Sequence, residues 1–175
     1  LFINLLIPKI QILKKILLLS DTHSYIDDRI LAYASQVDEV WHAGDIGQEN
    51  VINQLEQKAF VRAVYGNIDD QLIRQSWPEN QLFTLEGVTV LMTHIGGYPN
   101  KYTARVKKML TDHRPDLYIC GHSHILKVMY DKKLRLLHMN PGAAGKHGFQ
   151  RVRTMLRFDL RDSKIENLEV IEFDS

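Results

Sequence analysis

A chain of 175 residues with a net charge of +1 and 25% charged residues is one domain's worth of sequence, long enough to bury a core without disulfide staples. The near balance of charge excludes a general pull toward nucleic acid or anionic membrane, and the 45% hydrophobic content excludes disorder. The single cysteine, Cys120, has no intramolecular partner, which fits a cytoplasmic setting.

Residues 1–13 (LFINLLIPKIQIL) are apolar and contain Pro8. The run before Pro8 is too short to cross a bilayer, so the stretch reads as an N-terminal extension of doubtful origin; an edge strand and a membrane tether are the alternatives. From Lys14 to residue 175 the pattern is that of one domain. Aliphatics run into Ser20 and then present Asp21 and His23, a buried-strand signal with reactive groups just past its end. Extended backbone there would send both side chains to one face. Ser24 to Gln36 carries Ile26, Ile30, Leu31 and Ala34 on a helical stripe. Val37 to His42 is a second strand, and the glycines of HAGDIG flank Asp45 in a loop suited to close backbone approach. Gln48 to Lys58 reads as helix, and Ala59 to Tyr65 as a third strand closed by Gly66-Asn67-Ile68-Asp69. This alternation predicts a parallel sheet with right-handed crossovers.

The pattern then changes. Gln81 to Leu85 and Val88 to Thr93 form a hairpin through Glu86-Gly87. Thr103 to Asp112 is a basic amphipathic helix that ends before Pro115, and Leu117 to Cys120 is a buried strand running into GHSH. Ile125 to Tyr130 pairs with Leu134 to Met139, and Arg151 to Leu160 with Lys164 to Phe173, so the second half is expected to be antiparallel. The fold class is α/β, with two mixed sheets face to face and helices outside.

Asp21, His23, Asp45, Asn67, His94, His122 and His124 all fall at strand-to-loop transitions. Scattered core histidines would not be expected to select that address, although a D-x-H taken alone more often marks a turn with a helix cap. Two divalent ions about 3.5–4 Å apart take roughly seven or eight protein contacts with one carboxylate shared, and Asp45 is the natural bridge. A mixed N/O donor set suits Mn, Fe, Co, Ni or Zn better than Mg or Ca.

The ordered motifs D-x-H, G-D-x-G, G-N-x-D, T-H and G-H-x-H, spread from Lys14 to about Leu160, resemble the calcineurin-like metallophosphoesterase superfamily, in particular its small prokaryotic phosphodiesterases. The resemblance implies a four-layer α-β-β-α sandwich. It implies that Asp21, His23, Asp45 and His124 hold one metal and that Asp45, Asn67, His94 and His122 hold the other, with manganese placed first. Asp45, Asn67 and His94 thereby take catalytic roles. The implied activity is a binuclear metal-dependent phosphodiesterase: two cations bind the phosphate oxygens, and a hydroxide bridging them attacks in line with the leaving oxygen. The partner is a small phosphoester, with no membrane and no extended nucleic acid; a homo-oligomer is left open.

One position departs from the resemblance. Many superfamily members carry a histidine immediately after the Asn of the G-N motif, where this chain has Ile68. General-acid help is worth roughly a hundred- to ten-thousandfold, so its loss predicts slow turnover on esters with poor leaving groups. The loop from Asn140 to Gly145 reads either as a phosphate cradle, with Asn140 and Gly142 touching substrate alongside Asn67, or as a plain Pro-Gly turn. Lys146 and His147 follow, and His147 is a candidate substrate contact and substitute acid. His42 and Asp69 read as supports beneath the ligands, His113 and His138 as bystanders, and Cys120 as a small core filler. The rival readings are a non-catalytic retromer-like scaffold, a phosphomonoesterase and a nuclease.

Overall fold

The computed structural model describes residues 13–174; the expected N-terminal extension lies outside the described residues except for Leu13. The strand β1 (Lys14–Leu19) leads into α1 (Asp28–Ala34), β2 (Glu39–His42), α2 (Glu49–Glu56), β3 (Phe60–Ala63) and α3 (Gln71–Ser76). Then follow β4 (Asn80–Leu85), β5 (Val88–Thr93), α4 (Ala104–His113), β6 (Leu117–Ile119), β7 (Leu126–Asp131), β8 (Leu136–Pro141), β9 (Val152–Arg161) and β10 (Lys164–Asp174). Two five-stranded sheets result, ordered β10-β9-β1-β2-β3 and β4-β5-β6-β8-β7.

The period of two in β1 builds the layers. Leu17 and Leu19 pack with Ile30, Val51, Leu55 and Ile73 beneath the first three helices. Ile16 and Leu18, on the other face, meet Trp41, Val90, Ile119 and Phe158 between the sheets. A third apolar layer, with Val106, Leu110 and Tyr118, lies under α4. Three apolar layers between four structural ones give the α-β-β-α sandwich. Trp41 is fully buried at its centre, edge-on to Phe83 and Phe158, and its indole N–H donates to Glu39 Oε2 at 2.9 Å.

Three features differ from the sequence expectation. The second half is not simply antiparallel: β6 runs parallel to both β5 and β8, while the β9–β10 hairpin returns to the first sheet and pairs antiparallel with β1. Parallel order sets the carboxyl ends of β5 and β6 on the same edge, which is where His94, His122 and His124 emerge. The first helix begins at Asp28 because Ser24 is bound into the neighbouring loop through its N–H to Ile46 O, and Asp27 caps the helix by accepting from Ile30 N. The helix α3 was not expected; Asp70 caps it by accepting from Leu72 N and Ile73 N. Among the described residues no helix is long and apolar enough to cross a membrane.

Candidate metal centre

Past the ends of β1, β2 and β6, a sharp reversal of the backbone aims the candidate ligands' side chains. Asp21, His23, Asp45, His122 and His124 all have positive φ, between 46° and 68°. Left-handed backbone at a non-glycine residue costs about 1–2 kcal/mol, so five such residues at one edge mark a place where direction outweighs comfort. The shared direction of Asp21 and His23 therefore comes from these reversals and from the neighbouring loop, because neither residue is extended. Asp21 N donates to Gly44 O at 3.0 Å and His23 N to Asp45 O at 3.0 Å, which locks the two loops together. Gly44 allows that approach: a Cβ there would stand 2.6 Å from His94 Nδ1.

The side chains converge in two groups. Ligand atoms of Asp21, His23 and His124 lie within 4.8 Å of one another, and so do those of Asp45, His94 and His122. His124 Nε2 is 3.3 Å from Asp21 Oδ1 and 3.3 Å from His23 Nε2. Asp45 faces both groups, with Oδ2 3.6 Å from His23 Nε2 and Oδ1 3.1 Å from His94 Nε2. His94 Nε2 also stands 3.9 Å from Asp21 Oδ1. The His122 ring is exposed and lies edge-on to His94 with centroids 5.3 Å apart. Asn67 is exposed on the wall between the main cleft and a smaller pocket beside His94.

Hydrogen bonds behind the ligands fix which nitrogens carry lone pairs. His94 Nδ1 is 2.8 Å from Ala43 O and must donate to it, so the neutral ring presents a bare Nε2 to Asp45. Gln150 donates through Nε2 to Gly145 O and His147 O, which turns its Oε1 toward His124 Nδ1 at 3.1 Å; that nitrogen donates and Nε2 again faces a carboxylate bare. Asp21 Oδ1 and His94 Nε2 are buried with no hydrogen-bond partner. Buried nitrogen lone pairs facing carboxylate oxygens repel unless a proton or a cation lies between them, so this donor set fits divalent transition metals.

The titration of these groups carries the same signature. The Asp21 carboxylate foremost holds His124 above the usual imidazole range. Burial lowers His94, but the carboxylates of Asp45 and Asp21 outweigh it and hold the ring raised. Burial pushes Asp45 up, and His94, the Ile68 N–H and His23 more than reverse that. His23 is lowered by burial.

A layer of residues beneath the ligands ties the loops to each other. His42, fully buried and pushed down to about 4 by burial, accepts from Gly44 N through Nδ1 at 3.2 Å and meets Thr22 Oγ1 at 2.9 Å through Nε2. Asp69 receives Gly47 N and Gly66 N, each at 2.7 Å, clamping the Asp45 loop to the Asn67 turn. Arg74 then donates to the carbonyls of Gly66, Asn67 and Asp69.

Asn140 and Gly142 have a different part from the substrate contact considered in the sequence. The Asn140 amide donates to Gly121 O at 2.8 Å and to Ser123 Oγ at 3.1 Å, and its Oδ1 takes the Gly142 N–H at 3.0 Å. The Asn140 side chain is thereby engaged with the GHSH turn, and the Gly142 N–H with Asn140. Lys146 sits over the Tyr25 ring, while His147 lines the cleft with its ring 4.6 Å from that of His23. Sequence reasoning missed Gln150 and Arg74, which hold His124 and the Asn67 turn; neither belongs to a recognisable spacing. Cys120 is buried, its thiol pushed up to about 12 by burial, and is no nucleophile.

The calcineurin-like phosphoesterase superfamily domain matches residues 15–163, which takes in every one of these ligands. The chain belongs to that superfamily. Two curated relatives carry the description of probable metallophosphoesterase. That of Methanothermobacter thermautotrophicus is 29% identical over 71% of this chain and 74% of its own, and that of Mycoplasma pneumoniae is 36% identical over 63% and 68%. Among solved structures, Entamoeba histolytica Vps29 complexed with zinc matches with a TM-score of 0.71 at 17% identity over 91% of this chain and 98% of its own. A predicted phosphoesterase of Streptococcus pneumoniae matches with a TM-score of 0.66 at 21% identity over 94% and 99%. At those identities the structures speak for the fold of the superfamily domain alone.

Proposed function

We propose that this superfamily member is a phosphodiesterase that hydrolyses a small phosphoester at two divalent metal ions, with manganese the first candidate, in the cytoplasm. Asp21, His23 and His124 would hold one ion and His94, His122 and Asn67 the other, with Asp45 shared through its two oxygens. The observation that carries this reading is the convergence of buried Asp21 Oδ1 and His94 Nε2, 3.9 Å apart and without a hydrogen-bond partner, beside a cleft of about 740 Å³ lined by His23, Asp45, His122 and His124. No Lys or Arg is among the described residues lining that cleft, and Arg74 and Arg105 line the smaller pocket beyond Asn67, so a phosphate over the acidic and imidazole groups would rely on bound cations to balance its charge.

Bound there, the ions would offset the phosphate oxygens and make a water acidic enough to attack phosphorus. The protein's own part is positioning: the locked loops fix the donor directions, and His42, Asp69 and Gln150 prevent the ligands from turning away. His147, on the cleft wall, takes the role of proton donor to the leaving oxygen that Ile68 cannot fill.

The test is hydrolysis of bis(p-nitrophenyl) phosphate and p-nitrophenyl phosphate by protein loaded with Mn, Co, Ni or Zn. Diester turnover that Asp45→Asn lowers by at least about a thousandfold, with circular dichroism unchanged, is the expected result. Silence on both esters with every metal would turn the reading to a binding protein.

A further inference from the structure

The cleft with a polar floor has an apolar mouth. Phe149 is fully exposed, Ile125 is 62% exposed and Ile68 44%, and all three line the same cleft as His23, Asp45 and His124. A single exposed apolar side chain is ordinary, but three large ones gathered around one polar cleft mark a place where something apolar docks.

Their placement is tied to the floor residue by residue. Ile68 donates its N–H to Asp45 Oδ1 at 3.1 Å, which pins its backbone directly against the carboxylate. Ile125 follows His124 and donates its N–H to Ser123 Oγ at 3.3 Å. Phe149 is held between Gly148, at φ 117°, and Gln150, whose amide is committed to His124, Gly145 and His147. Ile68 and Ile125 thus each follow a candidate ligand, Asn67 and His124, and Phe149 precedes Gln150, which holds His124.

Resting on the phosphodiesterase reading, we propose that this rim binds a flat aromatic arm of the ester, an aryl group or nucleobase, stacked on Phe149 and flanked by Ile68 and Ile125. An aromatic face prefers a flat partner, and stacking tolerates any ring. The occupant is a small molecule and not a nucleic-acid strand, because tracking a phosphate backbone needs Lys or Arg in the groove and the cleft lining has none among the described residues.

The experiment keeps the leaving group constant and varies the arm that stays: methyl, phenyl and thymidine-5′ p-nitrophenyl phosphates, with the Mn-loaded protein. The expected result is a kcat/KM at least about tenfold higher for the two flat-armed esters than for the methyl ester. Phe149→Ala should raise KM about tenfold for the flat-armed esters and less than about twofold for the methyl ester, and Phe149→Trp should restore the preference. Equal rates on all three esters, or an equal loss on all three in Phe149→Ala, would overturn the inference while leaving the phosphodiesterase reading standing. If wild type hydrolyses none of them, that reading fails by itself, and the rim is decided by the fluorescence of Phe149→Trp titrated with phenylphosphonate and thymidine 5′-monophosphate. A change in indole emission that the variant shows and wild type lacks, with either ligand, supports the platform; no such change with both rejects it.

Discussion

At the end of the sheets away from the metal centre, Glu86, Asp162 and Ser163 have φ of 47°, 48° and 62°, and the two hairpin turns they form touch, Ser163 N donating to Glu86 O at 2.8 Å. At the metal-centre end Asp21 and Asp45 both have φ of 53°, yet they are 0% and 2% exposed. The same left-handed conformation serves opposite purposes. In the hairpins it reverses the chain and leaves Asp162 and Ser163 exposed and Glu86 half-buried, where Gly or Asn would do as well. At the other end it turns acidic and imidazole groups inward to a common point, where no other residue type supplies the donor. Strain that could be relieved by substitution is a matter of chain geometry; strain that could not is a matter of chemistry.

That contrast can be broken or sharpened by experiment. Cation binding should stabilise only through the inward-turned end: Mn²⁺ at a hundredfold above its dissociation constant adds about 2.7 kcal/mol, or about 5–10 °C in Tm for a chain of this size. Thermal denaturation with and without Mn²⁺ should show that rise in wild type and a smaller one in Asp21→Asn, which keeps the second group of ligands; an equal rise in both would place the ion elsewhere. Asp69→Asn, which weakens the clamp on Gly47 and Gly66, should reduce Mn²⁺ affinity about 10–100-fold by equilibrium dialysis without unfolding the protein.

Buried histidines differ along the same axis. His94 is held raised by carboxylates, whereas His138, 1% exposed and stacked on Tyr118 with centroids 5.3 Å apart, is pushed down from 6.5 to about 4 by burial. A lowered imidazole is neutral in the fold, so its contribution is complete above pH 6.5 and is lost as the pH falls toward 4. At about pH 5.5, chemical denaturation should find His138→Phe spared about 1.4 kcal/mol of the acid loss that wild type suffers relative to neutral pH. The smallest effect belongs to the hairpin end. Glu86→Gly should stabilise the fold by up to about 1 kcal/mol in a urea titration, with Mn²⁺ affinity unaltered.

What the sequence disclosed and what it hid follow from the range of the forces involved. Strands such as Lys14–Leu19 and Val88–Thr93 were legible because their alternating faces each enter an apolar layer, and the seven candidate ligands were legible because they end those strands. The parallel order of β5, β6 and β8 was not legible, since each strand's pattern satisfies either direction. The helix α3 has Ile73 as its only buried residue and so shows no apolar stripe, although Asp70 three residues before Ile73 was a capping signal that could have found it. The loop at Asn140 read either as a phosphate cradle or as a plain Pro-Gly turn because the sequence does not show what its side chain meets; only the fold brings Gly121 O and Ser123 Oγ to accept from the Asn140 amide. Arg153, 1% exposed, joins Ala144 O to the Asp27 cap, a bond across 126 residues that no local pattern announces.

The return of β9 to lie against β1, with Lys14 opposite Leu160, has a consequence for how the protein is made. A ribosome delivers β1, β2 and β3 early, but one long side of β1 stays open until the last hairpin emerges. During that interval the hydrogen-bonding edge of a strand whose last four residues are aliphatic is bare, a template for pairing with another nascent chain. Closure across so great a sequence separation is slow, and a polypeptide released before residue 152 lacks the strand that, among the described residues, covers that edge. Premature termination in this gene product would therefore yield sticky fragments and not smaller working domains.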